Sequence, residues 1–258
     1  MLTHEAARGW LDRWDRQQEG YLPDREERFT ALIDAVEALG RPDPLVLDLG
    51  CGPGSLSVRL LERLPRASVV SIDADPLLLA LGRAAYPQLT FADLDLREPG
   101  WAEGLGLERP ADAAVSTTAL HWIPKSGLPA LYKQVHDVLR PGGLLLNGDH
   151  LQTEDVTPTL ARLERVLHDR ETERMFTAGR PEDWRSWWEA VDADPDLAPY
   201  RKQRSDDHTG EESLLLSSHA LALREAGFAE VGTLWQHGHK RLLCAVKEGS
   251  GRTETSVS

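Results

Sequence analysis

Cysteine is scarce, with Cys51 and Cys244 the two in 258 residues. One sits in a glycine-rich bend and the other in an apolar run near the C-terminus, so a disulfide framework is not expected and a reducing, cytoplasmic setting is. Cys51 has no thiolate-stabilising neighbour in sequence and reads as a small filler in a tight loop. Basic charge is also short. The 29 Lys and Arg against 42 Asp and Glu leave a formal charge of −13, which argues against a nucleic-acid surface built on clustered cations. No apolar run approaches the roughly 20 residues of a membrane span. Met1-Leu2-Thr3-His4-Glu5 lacks a basic stretch followed by an apolar one, so no signal peptide is expected. No internal repeat is visible. What is left is a chain long enough for one α/β domain with a large insertion.

The stretch that organises this chain is Pro44-Leu45-Val46-Leu47-Asp48-Leu49-Gly50-Cys51-Gly52-Pro53-Gly54-Ser55. Its apolar run suits a buried parallel strand. The glycines that follow bare the backbone to a ligand, and Leu56, Leu60, Leu61 and Leu64 continue at helical spacing. Strand, glycine loop and helix make the ligand corner of a doubly wound fold, beyond the carboxyl ends of the strands. The dinucleotide fingerprint G-x-G-x-x-G fails here, because its third glycine would fall on Ser55. Pro53 removes an N–H from the loop and Asp48 adds a negative charge beside it. A ligand with a cationic centre suits that corner better than a pyrophosphate.

Residues 4–18 read as a helix, and Asp24 with Glu27 makes a capping-box-like start to a second helix ending at Gly40. These helices precede the first strand and can lie across the open top of the sheet, where Trp14, Gln17 and Tyr21 would help cover a ligand. The second strand, Ser68 to Ile72, ends at Asp73, 23 positions beyond Gly50, where a doubly wound fold puts an acid for ribose hydroxyls. A third strand, Leu89 to Ala92, ends at Asp93-Leu94, with Asp95 a competing acid. A fourth, Ala111 to Ser116, runs into Thr117-Thr118-Ala119-Leu120-His121-Trp122. A helix from Leu128 to Leu139 is broken by Arg140-Pro141-Gly142-Gly143, and a fifth strand, Leu144 to Gly148, ends at Asp149-His150. Strand–helix alternation then lapses from about Leu151 to Ser213. That stretch reads as a lid whose Trp184, Trp187 and Trp188 share one helix face, for packing or for substrate. Ser218 reads as the cap of a last helix. Residues 228–235 and 241–247 flank a turn at His237-Gly238-His239-Lys240, and the polar tail from Glu248 reads as disordered.

Together these features resemble the class I S-adenosylmethionine-dependent methyltransferases over roughly residues 8–247, in particular the small-molecule branch that includes trans-aconitate methyltransferase-like enzymes. The D-x-G-x-G-x-G form at 48–54 is similar to that family's first motif, and Leu139-Arg140-Pro141-Gly142-Gly143 before an apolar strand is typical of it. The resemblance implies an α/β, doubly wound, seven-stranded mixed sheet of order 3-2-1-4-5-7-6, with the last strand antiparallel. It implies a helical cap at 1–40, a cofactor-binding core at 41–150, a helical lid at 151–216, and a last helix and hairpin at 217–247, followed by the tail at 248–258. The expected cofactor is S-adenosylmethionine. Asp48, Gly50 and Gly52 would border its methionine moiety, Asp73 and Ala74 its ribose, and Asp93 and Leu94 its adenine. Thr117 would lie near the sulfonium, and Trp14 and Gln17 would cover the ligand. Neither the metal cluster of the catechol-type enzymes nor the Asn-Pro-Pro-Tyr signature of nucleobase enzymes has a counterpart, and no metal site is expected.

Methyl transfer from a sulfonium needs a base only where the acceptor is protonated. His150 is the leading candidate and His121 the next, both at carboxyl ends of central strands; His208 in the lid stands behind them. Arg174, Arg180, Arg185 or Arg201 would clamp a carboxylate acceptor. The expected partner is a small molecule methylated at oxygen, not nucleic acid or membrane. Methylation at carbon or nitrogen, or a non-catalytic cofactor-binding module with the lid as partner surface, are the alternatives. Oligomeric state is open on sequence.

Overall fold

A computed structural model describes residues 2–153, 157–177, 182–201 and 215–249. Two helices come first. Helix α1 (His4–Tyr21) is capped by Thr3, whose hydroxyl accepts from Ala6 N–H, and α2 (Arg25–Glu37) follows after a short turn. The core then alternates through β1 (Leu45–Leu49), α3 (Ser55–Arg63), β2 (Ser68–Asp73), α4 (Pro76–Ala85), β3 (Thr90–Asp93), the single turn α5 (Trp101–Gly104) and β4 (Ala111–Thr117). Helix α6 (Leu128–Val138) leads into β5 (Leu139–His150). Three helices, α7 (Pro158–Thr177), α8 (Trp184–Ala193) and α9 (Ala198–Arg201), precede α10 (Leu216–Glu225), and β6 (Glu230–His237) and β7 (Lys240–Val246) close the chain.

The seven strands lie in the order β3-β2-β1-β4-β5-β7-β6, as expected. Strands β1 to β5 pair in parallel and β7 runs antiparallel to both β5 and β6. Every residue of β1 is buried, which is why it reads as a continuous apolar run rather than an alternating one. Apolar layers cover both faces. Tyr132, Leu128, Leu131 and Phe228 lie on the side of α6 and α10, and Phe29, Leu32, Leu56 and Leu60 on the side of α2 and α3. No helix among the described residues is long and apolar enough to cross a membrane.

Several boundaries differ from the sequence reading, each for a physical reason. Arg140-Pro141-Gly142-Gly143 does not separate α6 from the fifth strand. It forms a bulge inside β5, where the register against β4 jumps from Leu139 to Leu144, and Gly142 takes φ +72. Asp24 stands at the N-cap of α2 without capping it; its carboxylate accepts instead from Lys240 Nζ at 2.8 Å and pairs with His237 Nδ1 at 3.2 Å. The last helix starts at Leu216, so Ser218 lies inside it. Gln152 bridges to Leu215, bringing together the two ends of the segment that leaves the sheet after β5. His208, Arg180 and the tail from residue 250 lie outside the described residues, as does the side chain of Tyr21.

Candidate active site

The glycine loop is tied down entirely by the protein. Gly50 has φ +69, and a Cβ there would sit 2.4 Å from the Cβ of Ala119, so only glycine lets β1 close against the end of β4. Gly50 and Cys51 both donate their N–H to Ile72 O, at 2.8 and 2.9 Å. Gly52 N–H donates to Asp73 Oδ2 at 2.7 Å, Gly54 N–H donates to Cys51 O at 3.0 Å, and Pro53 has none. A pyrophosphate loop works by aiming such groups at the ligand; this loop has committed them internally.

Beside the loop a cleft of about 250 Å³ opens at the carboxyl ends of the strands, room for an organic ligand rather than an ion with a few waters. Of the residues expected to bind the cofactor, Trp14, Gly50, Gly52, Asp73, Ala74, Leu94 and Thr117 line it together. Four others do not. Asp48 is buried beneath the loop and accepts from Ser57 Oγ at 2.6 Å, with Ser71 Oγ donating in turn to Ser57 at 2.7 Å. Gln17 is wholly buried with its amide unpartnered among the described residues, while Gln18 reaches the wall. Asp93 is exposed, and Asp95, held by Arg97, takes the place on the wall. Leu94 lines the cleft, but its N–H donates to Asp73 O at 3.1 Å, so it offers no free donor there.

Burial raises two acids at this corner. Asp73 is pushed up to about 6 by burial, against hydrogen bonds from the Asp75 and Gly52 N–H groups that favour its charge. Asp48 is pushed up to about 7, again by burial first, with Ser57 opposing and the Asp73 charge adding to it. Burial thus disfavours the charge on both carboxylates, and a cation placed beside them would favour it again.

Neither candidate base lines the cleft. His121 pairs through Nδ1 with Asp149 at 2.9 Å; burial opposes its charge, but that carboxylate outweighs it and its pKa is raised. Its ring lies against Trp122 (4.9 Å between centroids), which does line the cleft. His150 faces away, packed against His168 of α7 and His239 of the hairpin turn, at 5.8 and 5.0 Å. Burial first, then the neighbouring histidines and Arg28, push it down to about 3 despite Asp149.

Other wall residues come from α8, the end of β4 and α2. Trp184 and Trp188 of α8 line the cleft, while Trp187 is wholly buried against Trp10 and Trp14, so the tryptophan stripe both packs and faces the ligand space. Thr118, with φ +49, is the one non-glycine residue at positive φ among those described, a strained position at the cleft wall. Arg25 and Phe29 of α2 also reach it; no local pattern marks them. The arginines expected to clamp a carboxylate are elsewhere: Arg185 is exposed and paired with Glu189, Arg201 pairs with Asp192, and Arg174 lines a separate small pocket under α7.

Residues 46–143 match the family model described as a methyltransferase domain. A trans-aconitate 2-methyltransferase from Azoarcus sp. (strain BH72) is 37% identical over 135 residues, 51% of this chain and 49% of that protein. One from Streptomyces coelicolor is 35% identical over 136 residues, covering 51% and 43%. The chain thus spans about half the length of these curated relatives. Among solved structures, an O-methyltransferase family protein from Burkholderia thailandensis superposes with a TM-score of 0.56 at 17% identity, over 97% of this chain and 64% of that one. Human N-acetylserotonin methyltransferase in complex with its cofactor gives 0.53 at 16%, over 92% and 56%. These likenesses carry the fold.

Proposed function

We propose, from the match of residues 46–143 to a methyltransferase-domain model and from the sheet order β3-β2-β1-β4-β5-β7-β6, that this chain is an S-adenosylmethionine-dependent methyltransferase acting on a carboxylate oxygen of a small molecule. The observation that carries the reading is the glycine loop whose N–H groups are already committed, beside the half-buried Asp73 carboxylate. That pairing suits a nucleoside bearing a cationic sulfur and leaves no nest for a pyrophosphate. Asp73 would hold the ribose hydroxyls, with Ala74 beside them. Leu94, Asp95 and Leu96 would flank the base, and Gly50, Gly52 and Trp14 the methionine end. Bound there, the cofactor supplies a methyl group whose S–C electron pair returns to sulfur as the acceptor oxygen bonds to carbon. No proton is released when that oxygen belongs to a carboxylate.

The protein's own work is then placement and drying of the cleft. Trp14, Trp184, Trp188, Trp122, Phe29 and Ile123 give it an apolar wall, which excludes water and holds the acceptor at the strand ends near Thr117. Helix α8, which supplies Trp184 and Trp188, acts as the lid over it. The names of the curated relatives support a carboxylate acceptor. So does the placement of the histidines, since an ionised carboxylate needs no base and no histidine among the described residues lines the cleft. His121, paired with Asp149, sets the orientation of Trp122.

The test is titration calorimetry with S-adenosylhomocysteine and with a nicotinamide dinucleotide, then transfer of labelled methyl to a panel of carboxylates that includes trans-aconitate. We expect the nucleoside alone to bind, the labelled product to release its methyl in base as an ester does, and His121→Phe to keep turnover within about tenfold across pH 6–9. Dinucleotide binding, or label stable to base, would sink this reading.

A further inference from the structure

Two buried guanidinium groups stand one turn apart at the start of α2, Arg25 on the cleft wall and Arg28 behind Thr117. Arg25 and Arg28 are 5% and 1% exposed, and arginine is hardly ever so buried unless paired. Arg28 lies across the end of β5, where a Cβ on Gly148 would meet its Cδ at 2.9 Å; the glycine is what leaves it room. It donates through Nη2 to Thr117 Oγ1, on the cleft wall, at 2.8 Å. Its Nε and Nη1 have no hydrogen-bond partner among the described residues.

The nearby carboxylates do not fill that gap. Asp149 attracts Arg28 electrostatically, but its oxygens accept from His121 Nδ1 and from the N–H groups of His121 and His150. Asp24 is taken by Lys240 and His237. Arg25, on the wall itself, stacks on Phe29 at 4.7 Å and ion-pairs with Asp15 at 3.0 Å. That one carboxylate also serves Arg59 at 3.5 Å and Ser55 Oγ at 2.8 Å. So Arg28 keeps two buried nitrogens without an acceptor behind Thr117, and Arg25 shares its Asp15 partner with Arg59 and Ser55. Leaving such groups without an anion is costly.

We propose that Arg25 and Arg28 form a specificity subsite for a second carboxylate of the acceptor, the one that is not methylated. The assignment to the second group follows from the chemistry. A guanidinium fork on the attacking oxygens would draw off the electron density they need, whereas on a remote carboxylate it fixes register without that penalty. This rests on the carboxylate reading of the acceptor and selects, within it, di- and tricarboxylates over monocarboxylates.

The experiment measures binding to the whole chain with S-adenosylhomocysteine present, using tricarballylate as polyanion and butyrate as monoanion. Wild type should bind tricarballylate far more tightly than butyrate. Arg28→Met and Arg25→Met should each weaken tricarballylate by about 10- to 100-fold, the loss of one charged hydrogen-bond pair, and leave butyrate and the nucleoside within about threefold. Arg28→Lys should recover part of the loss, and it decides the matter with Arg25→Met should Arg28→Met fail to fold. Equal losses for both acids, or no loss, would overturn the subsite. If the nucleoside does not bind wild type while tricarballylate still binds through the arginines, the methyl-transfer reading fails and the subsite stands.

Discussion

Asp73→Asn is the sharpest probe of the cleft. In wild type one carboxylate oxygen accepts from Gly52 N–H at 2.7 Å and the other from Asp75 N–H at 2.8 Å. The amide keeps one acceptor and turns an NH2 toward the second donor, so one charge-assisted hydrogen bond is lost and a half-buried loop N–H is orphaned. A hydrogen bond to a charged group is worth about 1.5–3 kcal/mol. At about 2–4 °C per kcal/mol for a chain of this size, the melting temperature should drop by roughly 3–12 °C. If Asp73 also receives the ribose hydroxyls, the Kd for S-adenosylhomocysteine should rise by about a hundredfold or more. The pH dependence gives a second, independent sign. Burial holds the folded carboxyl at about 6, above the ordinary unfolded value near ~4. Below about 6 the wild-type carboxyl takes a proton, so nucleoside affinity falls, while the same proton uptake makes this group's contribution to stability rise as pH drops from 6 toward 4. The variant should show neither trend. A Kd within about threefold of wild type at pH 7.5, measured by calorimetry, would refute the assignment.

Gly50→Ala must place a methyl 2.4 Å from Ala119 Cβ at φ +69; a loss of about 2–4 kcal/mol in urea unfolding is expected, together with loss of nucleoside binding. A shift below about 0.5 kcal/mol would show that the loop yields freely. At the far end of the sheet, Asp112 is buried and accepts from Leu45 N–H at 2.9 Å, Arg109 at 2.7 Å and Arg140 at 2.6 Å. Asp112→Ala should cost about 3–5 kcal/mol by urea titration and leave kcat of the folded enzyme unchanged; altered kcat would link that end to the cleft. Burial and mutual proximity push His150 and His239 down to about 3 and 4 and lower His168. All lie below the unfolded value of ~6.5, so the unfolded chain binds protons first and stability is lost as pH falls from about 6.5 to 4. A His168→Gln, His239→Gln double variant should flatten that slope in melts across this range, and an unchanged slope would remove the cluster from the account.

The sheet was legible because each strand carries its own evidence: an apolar run, then an acid or a turn at its tip. Asp73 and the glycines follow from the same local logic. What could not be read were the partners that arrive from far along the chain. Asp24 looks like a cap until Lys240 reaches it from the last hairpin. Arg25 and Arg28 look like the solvated side of a helix, and no spacing marks their descent between β5 and the glycine loop. His150 fails for a different reason. Alternation along β5 sends Gly148 and His150 to the face under α2 and α7, while Asp149 turns to His121. The strand tip was read correctly, and the side of it was not.

Helix α7 buries none of its side chains, and its Leu160, Leu163 and Leu167 look outward. It is fastened along its middle by side-chain contacts, Glu171 to Lys240, Glu164 to Arg241 and His168 to His239. A segment clasped this way is a detachable bracket. Concentrated salt should loosen it before the rest, and mutation can reshape it or swap it out with little penalty to the folding of the sheet below. The chain therefore ties its glycine loop into the sheet and keeps the neighbouring superstructure open to revision.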